Sequence, residues 1–150
     1  MESISIKIDL SVHTHDAVKE HPYVVVSLNG YPQFGDFCKE NTSIEFDVEL
    51  ADDTDNCLRI EYNNKDAKND VVLGDDKMPI KDKSIEIDSI SFDDIELNFF
   101  ELKDEEVIKY ECLEQEGNNA KGFHATKLPW NGHTSIYFRT PIYLWLLEDL

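Results

Sequence analysis

Strict two-residue alternation is the feature of this sequence that most narrows its fold. Ile4, Ile6, Ile8 and Leu10 recur with Ser5, Lys7 and Asp9 between them, the pattern of a strand with one face in a core and the other in water. The same period returns in Ile44, Phe46, Val48 and Leu50, and again in Leu58, Ile60 and Tyr62. The Asp-rich link between those two runs makes them look like antiparallel neighbours. Tyr23 to Leu28 is rich in β-branched residues and is closed by Asn29-Gly30, a pair suited to the positive φ of a tight turn. Ile85 and Ile87 set a further alternation, Ile90 and Phe92 shift its phase, and Ile95, Leu97 and Phe99 resume it, which predicts a bulge or turn near Asp93-Asp94. Apolar runs at 107–110 and 135–138 add two more strands. Helical spacing is not sustained anywhere, and Lys103 to Ile108 is the best short helical candidate. The predicted fold class is therefore all-β: residues 1–150 as one domain, an antiparallel jelly-roll-type β-sandwich of roughly eight or nine short strands.

Charge limits the partners. With 14 Lys+Arg against 32 Asp+Glu, the chain carries a formal charge of −18, which a phosphate backbone or an anionic bilayer repels. Nucleic acid and membranes are excluded as expected partners, and much of the charge reads as the solvated coat of the alternating strands. No apolar run approaches the about 18 to 20 residues of a membrane span, and Met1-Glu2-Ser3-Ile4 lacks the basic region of a signal peptide. Synthesis in a cytoplasm is the expectation. Cys38, Cys57 and Cys112 have no close spacing and read as packed thiols.

The irregular stretches 11–22, 63–83 and 114–134 are the expected binding loops. His13 and His15 lie on one side of an extended chain and are a weak metal pair with His21 or an acid. Asp66, Asp70, Asp75 and Asp76 are the candidate metal ligands, hard oxygens of the kind calcium takes, although Lys65, Lys68 and Lys77 stand among them. No nucleophile elbow, phosphate loop or triad context is present, so no enzyme is predicted and no catalytic residue is nominated. The segment from Thr140 to Leu150 is apolar and aromatic up to its last residue, whereas chain ends are usually polar. Read as a strand, residues 141–150 either complete the sandwich or form a docking arm, with Tyr143, Trp145, Leu147 and Leu150 as interface anchors.

Two spans carry a family resemblance. Cys57-Leu58-Arg59-Ile60-Glu61-Tyr62-Asn63-Asn64 through Ile90-Ser91-Phe92-Asp93-Asp94, together with Trp130-Asn131-Gly132 and Pro141-Ile142-Tyr143-Leu144-Trp145-Leu146-Leu147-Glu148, resembles small β-sandwich proteins of tailed bacteriophages, particularly T4-like phages of cyanobacteria. That resemblance implies a non-enzymatic virion structural protein, tail or baseplate associated, made in the host cytoplasm and assembling with other virion proteins or with itself. The cadence Ile87-Asp88-Ser89-Ile90-Ser91-Phe92-Asp93 is also similar, more faintly, to calcium-dependent carbohydrate-binding modules of the xylan-binding type. It implies the alternative function, a carbohydrate-binding module or adhesin, with calcium as cofactor at Asp66, Asp70, Asp75 and Asp76. Tyr31, Phe34 or Trp130 would then stack on a glycan.

Overall fold

A computed structural model describes residues 1–16, 18–66, 70–113 and 119–149. The strands in chain order are β1 (Glu2–His13), β2 (Tyr23–Leu28), β3 (Tyr31–Phe37), β4 (Thr42–Leu50), β5 (Asp55–Tyr62), β6 (Val72–Leu73), β7 (Pro79–Lys81), β8 (Ser84–Phe92) and β9 (Ile95–Glu96). They continue with β10 (Ile108–Cys112), β11 (Ala120–Lys121), β12 (Lys127–Leu128) and β13 (Gly132–Arg139), after which the helix α1 covers Ile142–Asp149. Two antiparallel sheets form a sandwich-like fold. One runs in the order β12-β8-β1-β4 with β9 paired to β8, the other in the order β11-β10-β13-β5-β2-β3, and β6 and β7 make a separate hairpin.

The alternation read from the sequence is what joins the two layers. Ile4, Ile6, Ile8 and Leu10 of β1 and Val24, Val26, Leu58, Ile60 and Tyr62 of the facing sheet are all buried in one core. Each such aliphatic side chain contributes roughly 1.5–3 kcal/mol by leaving water. The turn at Asn29-Gly30 takes φ of 51° and 85°, the left-handed region expected of it, and the bulge or turn expected near Asp93-Asp94 is a turn that takes 50° and 66°. The phase shift in β8 has a separate cause. Asp9 pairs with Ser89 and Leu10 with Ile87, leaving Asp88 as the extra residue of a β-bulge.

Several expectations are corrected. β4 and β5 are not neighbours: β4 pairs with β1 in one sheet, and β5 lies between β13 and β2 in the other. Alternation fixes which side chains face the core but not which sheet a strand joins, so the short link 51–54 crosses between layers. The candidate helix at Lys103 to Ile108 is a 3-10 turn over Glu105–Val107, capped by the Asp104 carboxylate, and Ile108 already belongs to β10. Cys38 is buried, but Cys57 and Cys112 are only half-buried; on β5 the buried positions are 56, 58, 60 and 62, which turns Cys57 away from the core.

The largest correction concerns the C-terminal segment, which is a helix and not a strand. Ile142, Trp145 and Leu146, at helical spacing, are buried, and the Trp145 ring packs edge-on against Phe92 at 5.8 Å and Phe138 at 6.0 Å. Trp145, at 5% exposure, is core and not an interface anchor. Tyr143, Leu144 and Leu147 point outward at 53%, 57% and 76% exposure. Leu150 lies outside the described residues. The helix closes the end of the sandwich where β1 begins, and the Ile142 N–H donates to the Glu2 carboxylate at 3.1 Å.

Candidate functional site

The opposite end of the sandwich, where β1 and β5 finish and β8 and β13 begin, carries the long loops and two buried ammonium groups. Lys83 sits one alternation before Ile85, so the inward phase of β8 carries its side chain into the interior. Its Nζ donates to Asp70 Oδ2 at 3.1 Å and to the Asn64 carbonyl at 2.8 Å, with its side chain 1% exposed. The Tyr62 hydroxyl donates to the Lys83 carbonyl. Burial, with the Asp70 and Asp82 charges adding to it, drives the Tyr62 phenol far above its ordinary value and keeps it neutral.

Lys65 is held as tightly. Its Nζ, also on a side chain 1% exposed, donates to Asp82 Oδ1 at 2.6 Å and to the Pro129 carbonyl at 2.5 Å, and lies 4.4 Å from the centre of the Trp130 ring. Asn131 pairs with the Lys65 backbone in both directions: Lys65 N–H donates to its Oδ1 at 2.7 Å, and its Nδ2 donates to the Lys65 carbonyl at 3.0 Å. Gly132 follows because a Cβ there would overlap the Glu111 carbonyl and the Tyr110 ring. The Tyr110 hydroxyl donates to the Trp130 carbonyl at 3.2 Å. Each residue of Trp130-Asn131-Gly132 thus has a structural task.

These contacts shape a surface groove. A cleft of about 390 Å³ between His13, Asp82, Glu86 and Lys127 meets a second of about 310 Å³ between Tyr110, His124, Lys127 and Trp130. They share Lys127 and Pro129. His13 Nε2 is 3.8 Å from Glu86, so the groove offers donors and acceptors beside one indole edge. Such a surface can hold a polyhydroxylated ligand by hydrogen bonds and ring stacking.

Of the candidate metal ligands, Asp66 and Asp70 line one cleft, and Asp75 and Asp76 do not line it. Among the described residues no group of His, Cys, Asp or Glu side chains is placed to hold a metal ion. Asp70 is buried, and its Oδ2 is occupied by Lys83 and by the Asp66 N–H at 2.7 Å. Asp75 and Asp76 are exposed in the turn between β6 and β7, where Asp76 accepts the Met78 N–H. Among the described residues Asp70 Oδ1 is buried without a hydrogen-bond partner, beside a cleft of about 140 Å³ lined by Glu20, Asp66 and Asp70 together with Lys19 and Lys83. Of the two ammonium groups Lys83 is the one paired with Asp70, and this ion-pair lock holds the Oδ2 that a divalent cation would need. The histidines also diverge: His13 faces Glu86, His15 Nε2 lies 2.5 Å from the Asp70 carbonyl, and His21 Nδ1 lies 3.4 Å from Thr14.

The three aromatic candidates are likewise separated. Trp130 is half-buried at the groove, Phe34 packs against the core from the middle of β3, and Tyr31, 74% exposed, stands beyond the Asn29-Gly30 turn at the opposite end. No shared stacking platform forms among them. Lys65, which holds Asp82 and the Pro129 carbonyl from beneath the groove, and Lys83, buried against Asp70, are not among the residues nominated from sequence. The signal for Lys83 was present in the phase 83, 85, 87.

No family model and no curated protein matches the chain. Among solved structures, it is similar to a calcium-dependent carbohydrate-binding module, vCBM60 in its selenomethionine form, at 10% identity and a TM-score of 0.49, covering 89% of each chain. A likeness at this level carries no information on the ligand of this chain.

Proposed function

We propose that this chain is a non-enzymatic binding module that takes a glycan chain in the groove beside Trp130. The observation that carries this reading is the pair of clefts meeting at Lys127 and Pro129, with polar side chains along them and with Trp130, Asp82 and the Pro129 carbonyl in contact with Lys65 from beneath. In this reading glycan contact needs no metal, Asp70, one of the candidate calcium ligands, being paired with Lys83. Affinity electrophoresis through gels containing soluble xylan or other neutral polysaccharides tests it, with and without calcium. Retardation by one polysaccharide that Trp130→Ala abolishes is the expected result. Unaltered mobility in every gel, or retardation that Trp130→Ala leaves intact, overturns it.

A second reading, the virion structural protein implied by the phage resemblance, is favoured by a different observation. The outward face of α1 leaves Tyr143, Leu144 and Leu147 uncovered, a surface of the kind that docks a neighbour. In this reading Tyr143 and Leu147 keep their role as anchors and Leu144 replaces Trp145.

A further inference from the structure

The exposed face of α1 has a chemistry that selects its occupant. Tyr143, Leu144 and Leu147 form one ridge at helical spacing, and its borders are acidic. Asp53 and Glu148 line a cleft of about 140 Å³ against Leu144, with Arg139 on the same wall. Asp93 Oδ2 lies 3.5 Å from the Tyr143 hydroxyl. The nearby cations are already engaged, the Met1 ammonium with Asp52 at 3.0 Å and Arg139 with Asp55 at 2.9 Å. Among the described residues Asp53 and Glu148 make no ion pair. Beyond Trp145 and Glu148 the surface continues into a groove of about 420 Å³ whose lining holds four carboxylates, Asp55, Asp104, Glu106 and Glu148, against the single guanidinium of Arg139, with length for a Lys or Arg stem. A second copy is a poor occupant, because each chain brings a charge of −18 and would set carboxylates against carboxylates around the ridge.

We propose that this face docks a cationic amphipathic segment of a partner protein, its apolar residues on Tyr143, Leu144 and Leu147 and its Lys or Arg side chains on the surrounding carboxylates. Apolar anchors supply the affinity, and charge complementarity supplies orientation and encounter rate. The inference names the partner chemistry of the surface used in the second reading, and it holds for that surface whether or not the neighbour is a virion protein. It is independent of the groove at the other end.

The test uses the full chain and synthetic peptides of about 14 residues, long enough for an amphipathic helix: one of Leu and Lys in helical register, one of Lys alone with the same charge, and one of Leu and Glu. Backbone amide shifts map the site and titrations give affinity. The Leu/Lys peptide is expected to shift residues 142–149 and 52–55 and to bind at least about tenfold more tightly than the lysine peptide, with Leu147→Lys weakening it by about tenfold. The Leu/Glu peptide is expected not to bind. Equal affinity for the lysine peptide, shifts centred on the serine-rich and acidic outer face of β1, β4 and β8, or an unchanged affinity in Leu147→Lys overturns the proposal. A dimer seen by light scattering that Leu147→Lys abolishes also overturns it, in favour of a second copy.

Discussion

The two ends of this sandwich are closed by opposite means. At the loop end two lysine ammoniums are buried against Asp70, Asp82 and backbone carbonyls, whereas at the helix end Trp145 is driven between Phe92 and Phe138. An apolar plug is stable through the area it removes from water. A buried ion pair gains little over an apolar replacement, because attraction is set against desolvation, but it fixes geometry at both partners. The charged closure therefore suits the end where loops must be held in one arrangement, and the apolar closure suits the end that only needs sealing.

The sharpest test of this contrast is whether each closure can be rebuilt. Trp145→Ala is expected to cost about 3–5 kcal/mol through lost burial and the cavity left behind, measured by chemical denaturation. Lys83→Met is expected to cost a similar amount, about 3–5 kcal/mol, because it strands the Asp70 carboxylate without its counter-charge. Adding Asp70→Leu to Lys83→Met should return most of that loss in the same denaturation experiment. If the double variant stays as unstable as the single one, the lock is valued for more than charge balance and the comparison weakens.

Smaller effects sharpen the picture. His133, on the outer face of β13, has its imidazole held below the ordinary range by burial, with Arg59 adding to the effect and Glu111 and Glu61 opposing it. The unfolded chain then binds the proton more readily, so this contribution is complete above the unfolded value of about 6.5 and is lost as pH falls through the lower folded value. The melting temperature should drop between neutral and mildly acidic pH, and His133→Gln should flatten that part of the profile. Leu147→Lys, at an exposed helix position, should change stability by no more than about 0.5 kcal/mol, in contrast to its neighbour Trp145. Calcium or a chelator should leave the melting temperature unmoved, since Lys83 already balances Asp70. A calcium-dependent rise would show a metal displacing the lock.

Much of the fold was legible because period-two alternation has one physical meaning. The sequence announces β1, β2, β4, β5, β8 and the turns at Asn29-Gly30 and Asp93-Asp94 through local chemistry alone. Sheet membership was not legible, since Ile44 and Ile60 face the same core from opposite layers. The helix α1 was misread because, over only a few residues, the apolar run from Ile142 to Leu147 satisfies a two-sided strand as well as a helix. For the site, carboxylates drew attention to the 63–76 loop as ligands. The lysines among them, read as obstacles to a metal, are the groups that organise it. Trp130 belongs to both resemblances, but its place at the groove depends on Lys65, from a distant part of the chain.

That distance has a consequence for when the site comes into being. Asn131 and the Lys65 backbone are separated by 66 residues in sequence, and Lys65 ties the Pro129 carbonyl to Asp82 from the same position. Contacts of this span form late, after the chain has met the entropy of closing a long loop. A polypeptide emerging from the ribosome has most of β1 to β8 available before Gly132 has been made, and yet it has no groove. In the proposed function, glycan capture in that groove is thereby restricted to chains in which both strand ends are in place, and local opening of either end, well short of unfolding, would release the glycan.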